Sequence, residues 1–236
     1  MTSKGRVLIT GAAKRLGREM ALNLAANGYD LVISYNKSQK EAQELSNLIS
    51  SEYKVDCDIF GCDLTNRKGA EDLVQFMSSY LDWNLLINNA SIFNQSKFLD
   101  EGFKEMDDNF NIHLTSPIIL SKAFAKSAPK NSNIINIVDK MVTRSQTSFF
   151  YYLLSKQYLT QLTKMLATQL SPNIRVNAIA PGTVLEDLSG EDTRLKNPLK
   201  VKGGPEYIIK SLNYLLENEF VTGQIIFADG GASLTN

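Results

Sequence analysis

Residues 6–17 read Arg-Val-Leu-Ile-Thr-Gly-Ala-Ala-Lys-Arg-Leu-Gly, and this stretch decides the fold. Val7, Leu8 and Ile9 make a short apolar run of the kind that parallel strands show when both faces are buried. After the loop, Leu16, Met20, Ala21, Leu24 and Ala25 recur at helical spacing. A strand, a glycine loop and a helix start, in that order, hold the phosphates of a dinucleotide. Backbone N–H groups and the positive end of the helix dipole face the anion there together. Gly11, Lys14, Arg15, Leu16 and Gly17 are the candidate ligands in this loop. Arg15 stands where the central glycine is usual, which points to a phosphate-rich ligand.

Outward from that stretch, strand-like runs alternate with helix-like ones. Strands are predicted near 6–10, 31–35, 58–62, 85–88, 133–138, 175–179 and 224–227, and helices include 37–51, 68–80 and 152–169. Alternating β and α elements predict an α/β fold, a doubly wound Rossmann-type domain with a seven-stranded parallel sheet and right-handed crossovers. No repeat, low-complexity tract or linker divides the chain, so residues 1–236 are read as a single domain. The stretch 185–204, with Pro198, Gly203 and Gly204, lacks a strong period and follows a strand's carboxyl end. It is read as a substrate loop.

Composition narrows the partners. Twenty-five basic and twenty-five acidic side chains cancel over 236 residues, so no overall field favours a nucleic acid or an anionic membrane. No stretch has the length or apolarity of a signal peptide or a membrane span. Two cysteines, Cys57 and Cys62, in a chain this long suggest a reducing, cytoplasmic setting, with both thiols as small core fillers. No metal site is expected.

The second predicted strand identifies the cofactor. It ends Ser34-Tyr35-Asn36-Lys37-Ser38, with no carboxylate to take the ribose hydroxyls of NAD. Lys37 and Ser38, with Arg15, are suited instead to a 2′-phosphate, and NADPH is expected. Asp63 and Leu64 follow the third strand, where a carboxylate can accept from an adenine amino group. Asn89, Ala90 and Ser91 follow the fourth, where small and amide side chains let the backbone approach a cofactor.

With these segments and the pair Tyr152 and Lys156, the chain resembles the short-chain dehydrogenase/reductase family over nearly its whole length. Pro181 and Gly182 fit the family's usual position beside the nicotinamide. Within the family it looks most like the pteridine reductases and dihydromonapterin reductases. Arg15, the turn Tyr35-Asn36-Lys37-Ser38, and Asp139, thirteen residues before Tyr152 where most members carry a serine, support that branch. Phe93 falls where the branch has a phenylalanine stacking on the pterin ring. The helix position usually held by a catalytic asparagine falls on His113, or on Asn111 if the alignment slips by two. The resemblance also implies a homotetramer or homodimer built on the helix near 152–169.

The residues themselves carry a consistent chemistry. Tyr152 and Lys156 lie four apart on a predicted helix and share one face. A nearby ammonium is expected to lower the phenol's pKa and ready it as the proton donor that completes hydride transfer. Lys156 also reaches toward the nicotinamide ribose. Asp139, unlike a serine, can hold or pass a proton and accept from an N–H, which suits reduction of a pterin's C=N bond. Phe93 offers a flat face for a planar heterocycle, Ser91 and Arg15 join the substrate side, and His113 is a candidate relay. The expected activity is NADPH-dependent reduction of a dihydropterin to a tetrahydropterin. The alternatives are a generic carbonyl reductase acting on a 3-oxoacyl or sugar substrate, and a non-catalytic NADP-binding module.

Overall fold

A computed structural model describes residues 3–100, 102–145, 148–185 and 193–235. Seven parallel strands form one sheet in the order β3-β2-β1-β4-β5-β6-β7. They are β1 (Arg6–Ile9), β2 (Asp30–Tyr35), β3 (Cys57–Gly61), β4 (Trp83–Asn88), β5 (Ser132–Ile137), β6 (Ile174–Pro181) and β7 (Ile225–Ala228). All seven predicted strands are present, each within a few residues of its expected position.

Side chains alternate along each strand, so the apolar runs feed two cores. Val7 and Ile9 of β1 meet α1 (Arg15–Ala26), α2 (Gln39–Tyr53) and α7 (Pro205–Glu217) on one face. Leu8, with Leu86 and Ile134, meets α3 (Arg67–Met77), α5 (Ser116–Ser127) and α6 (Phe150–Leu170) on the other. The predicted helix at 37–51 begins two residues later, because Ser38 is the N-cap of α2. Burial pushes the thiols of Cys57 and Cys62 up to about 12 and about 11, which makes both inert.

The order reverses between β1 and β4. The loop after β1, the turn after β2 and the segment after β4 therefore emerge together at the carboxyl edge, where sheets of this kind bind ligands. Between β4 and α5 lies α4 (Lys104–Phe110), which runs through a π-helical turn, Asn111–Thr115, into α5. Wide turns of this type re-aim side chains and concentrate at functional sites. Of the expected substrate loop, residues 186–192 lie outside the described residues, and 193–204 form turns leading into α7.

Candidate active site

The glycine loop is held by Asn89 and Thr10. Asn89 Nδ2 donates to the carbonyls of Thr10 and Gly11 at 2.9 and 3.0 Å. The backbone N–H groups of Asn89 and Ala90 donate to Thr10 Oγ1. Side chains at 11 and 17 would break this packing: a Cβ on Gly11 would lie 2.9 Å from Ala90 Cα, and one on Gly17 2.7 Å from Asn89 Nδ2. The N–H of Gly11 donates to Ser34 Oγ at 3.3 Å, which ties the loop to the end of β2.

Arg15 has φ +54, in the left-handed region that glycine adopts freely and other residues adopt with strain. The backbone thus explains why glycine is usual there, and the arginine is tolerated with its side chain exposed. Lys37 is exposed as well, and neither Arg15 nor Lys37 enters an ion pair among the described residues. Lys14 pairs with Glu41 in the first turn of α2, so one expected phosphate ligand already has a partner. Asp63 Oδ1 accepts from the N–H and hydroxyl of Thr65, a turn contact that leaves Oδ2 available. Tyr35 packs its ring beside Gly61. Gly182, after Pro181, packs against Asp229 so closely that a Cβ would lie 2.6 Å from its Cα.

At the other end of the cleft, α6 carries Tyr152 and Lys156 on its buried face, 5% and 2% exposed. Tyr152 donates its hydroxyl to Asp139 Oδ2 at 2.7 Å, while Asp139 Oδ1 accepts from the N–H of Met141 at 2.8 Å. Asp139 therefore caps the following 3-10 turn and partners the tyrosine with the same carboxylate. Burial, reinforced by that carboxylate, holds the Tyr152 phenol well above its ordinary range. This corrects the expectation that Lys156 would lower it. Lys156 donates to the carbonyl of Ile137 at 2.8 Å, and burial draws its ammonium down to about 8 against the opposing pull of Asp139.

His113, not Asn111, faces this site. Asn111 turns away and donates to the Thr65 carbonyl at 2.9 Å. The His113 ring stands edge-on to Tyr152 with centroids 5.4 Å apart, and its two nitrogens lie 2.8 Å from Ser91 Oγ and from Ser155 Oγ. Phe93 is 55% exposed, stacked on Phe149 at 4.2 Å and set edge-on to Tyr152 at 4.7 Å. A short clip fixes it: Ser96 pairs with Phe149 as an isolated bridge, accepting at its carbonyl from the Phe150 N–H and at its hydroxyl from the Tyr151 N–H.

The structure thus gathers Ser91, Phe93, His113, Asp139, Tyr152 and Lys156. Sequence reasoning missed Ser96, Phe149 and Ser155, whose partners lie far along the chain. The turns at 193–204 line a cavity of about 510 Å³ whose walls also include Lys140, Gly182 and Thr183.

The family model described as enoyl-(acyl carrier protein) reductase matches residues 11–233. The chain belongs to the short-chain dehydrogenase/reductase family. Among its relatives in the family is pteridine reductase 1 of Leishmania tarentolae, 29% identical, with 97% of this chain and 96% of that protein covered. Two crystal structures are similar throughout, both described as FolM alternative dihydrofolate reductase 1 with NADP. That from Brucella canis is 32% identical with a TM-score of 0.92, covering 100% of this chain and 96% of the other. That from Brucella suis is 33% identical with a TM-score of 0.91, covering 100% and 98%. No helix among the described residues of this family member is long and apolar enough to cross a membrane.

Proposed function

We propose that this chain is an NADPH-dependent reductase that converts a dihydropterin to a tetrahydropterin. The observation that carries the reading is the 2.7 Å hydrogen bond from Tyr152 to Asp139, a carboxylate where a family member acting on carbonyls needs only a hydroxyl. The exposed face of Phe93 beside the same tyrosine supports a flat substrate. So do the relatives named for pteridine and dihydrofolate reduction.

The residues fit the cofactor. Glycines at 11 and 17 keep the loop after β1 packed on Asn89 and Ala90, as a phosphate-binding turn requires. Arg15 at the start of α1, with Lys37 and Ser38 after β2, offers a basic and hydroxyl surface, and β2 itself ends without a carboxylate, which fits a 2′-phosphate better than a bare ribose. Asp63 Oδ2 and the backbone near Leu64 are assigned to the adenine, and Pro181 and Gly182 to the nicotinamide. When bound, NADPH supplies the hydride.

The chain's own groups then manage the proton. As the ring carbon takes the hydride, Tyr152 swings its hydroxyl proton from Asp139 to the adjoining ring nitrogen. The phenolate left behind is reprotonated from solvent, with Asp139 Oδ2 again accepting the new proton's hydrogen bond. Lys156 has three donor hydrogens and one acceptor among the described residues, the Ile137 carbonyl, leaving two directions for ribose hydroxyls. Phe93 and Ser91 position the ring, with Arg15 above it. The partner in assembly is assigned as a second copy on the face of α5 and α6, where Ile118, Tyr158 and Met165 are exposed.

Turnover of dihydrobiopterin, dihydromonapterin, dihydrofolate and simple ketones, each with NADPH and NADH, tests the reading. Dihydropterin turnover preferring NADPH is expected. Ketone turnover with no dihydropterin turnover would overturn it. Arg15→Gly separates the cofactor assignment: about a tenfold rise in the KM for NADPH is expected from the lost phosphate contact, with no loss of thermal stability.

A further inference from the structure

We infer that His113 fixes the direction of the Ser91 hydroxyl, so that Ser91 meets the substrate as a hydrogen-bond acceptor and selects a heterocycle bearing N–H groups over a plain carbonyl compound. This rests on the pterin reading and names the discrimination built into that same site.

The argument starts at Ser155, which is fully buried. Its Oγ lies 2.8 Å from the carbonyl of Tyr152 and 2.8 Å from His113 Nδ1. A carbonyl oxygen has no proton, so the single Ser155 proton must occupy the first contact. Ser155 is then an acceptor toward His113, and Nδ1 must carry the hydrogen. Burial, with the Lys156 ammonium nearby, favours the neutral ring, which has one N–H to give. Nε2 is therefore bare. Ser91 Oγ, 2.8 Å from Nε2, can only donate to it. The other contact of that hydroxyl, 3.3 Å to the Ile92 carbonyl, is the longer one and is left without a proton.

Ser91 itself is exposed, and its remaining lone pairs are free for a ligand. A ring N–H or exocyclic amino group satisfies them. A ketone oxygen meets them as one acceptor meeting another, with a desolvation cost and no bond. The row of donors also has a fixed end. It runs from Ser91 through His113 and Ser155 to the Tyr152 carbonyl, and Lys156 points instead at the Ile137 carbonyl. That path delivers no proton to Lys156, so His113 is a positioning residue and not the relay expected from sequence.

His113 is the chain's one histidine, so its imidazole nitrogens can be read in the full ¹⁵N-labelled protein without assignment. Long-range ¹H–¹⁵N spectra should show a protonated Nδ1 and a bare Nε2. Ser155→Ala removes the acceptor of Nδ1 and should move the proton to Nε2, freeing Ser91 to donate outward. In that variant the KM for dihydrobiopterin should rise about tenfold while the KM for NADPH stays in place. Ser91→Ala should raise the same KM by a larger factor than it raises the KM for a ketone. A wild-type ring protonated on Nε2, a tautomer indifferent to Ser155→Ala, or a dihydrobiopterin KM indifferent to Ser91→Ala would each overturn the inference. Absence of any dihydropterin turnover by the wild type would overturn the pterin reading and the selection with it. The spectrum, taken without substrate, decides the hydroxyl direction on its own.

Discussion

Two buried cations sit at opposite edges of the same sheet and are treated in opposite ways. Arg6, at the amino edge, has its side chain 9% exposed and is ringed by four carboxylates, Asp30, Asp56, Asp58 and Asp82, at 3.4–3.8 Å. Its guanidinium also lies 4.4 Å from the centre of the Tyr80 ring. Lys156, at the carboxyl edge, is buried to 2% exposure with a single hydrogen-bond acceptor among the described residues, and burial pulls it down to about 8. The first charge is surrounded by opposite charge and serves to tie β1, β2 and β3 together. The second is under-compensated, which a protein tolerates where a ligand completes the site. A buried charge short of partners is the better guide to function.

The largest expected effect breaks the carboxyl-edge side of the comparison. Tyr152→Phe should lower kcat by about a thousandfold through loss of the proton donor, with NADPH binding unchanged by fluorescence titration. Weakened NADPH binding of similar size would mean that the hydroxyl holds cofactor instead. Arg6→Met should do the reverse. It should cost about 1–3 kcal/mol in urea unfolding, a value reduced because Asp56, Asp58 and Asp82 are 80%, 49% and 51% exposed, and leave kcat in place. A kcat loss in a folded Arg6→Met protein would break the division between the two edges.

The smallest effect sharpens the comparison through pH. A lysine held near 8 in the folded protein and near its ordinary value when unfolded binds fewer protons folded than unfolded across that interval. Stability of the cofactor-free protein should therefore rise between pH 8 and 10, by less than about 1.4 kcal/mol per pH unit. Lys156→Met should flatten the rise. Above pH 10 the contribution of Tyr152 runs the other way, because folding holds its proton more tightly. Equal slopes in the two proteins would show that Lys156 is not strained by burial.

Much of this was legible in the sequence, for identifiable reasons. Strands buried on both faces, such as Leu85-Leu86-Ile87, leave unbroken apolar runs that no exposed element imitates. Gly11 and Gly17 were readable because close backbone approach admits no other residue. Asp139, Tyr152 and Lys156 were named through the resemblance to the family, whose separations of thirteen and four residues this chain keeps. The choice between Asn111 and His113 was not legible, because the π turn at Asn111–Thr115 departs from the regular 3.6-residue count. Nor was the buried chain from Asn88 through Asn136 to Thr163, which fastens α6 to β4 and β5. Its members are 27 and 48 residues apart and share no local pattern. The direction of the expected shift at Tyr152 was also missed, because spacing shows the lysine but not how deeply the phenol is buried beside Asp139.

The proposed pterin reduction rests on the carboxylate beside Tyr152. The most direct measurement is the ratio of kcat/KM for dihydrobiopterin to that for a simple ketone, both with NADPH, in the wild type and in Asp139→Ser. The ratio should favour dihydrobiopterin in the wild type and fall by about ten- to a hundredfold in the variant, mainly through the pterin arm. A ratio that favours the ketone in the wild type, or that is unmoved by Asp139→Ser, would contradict it.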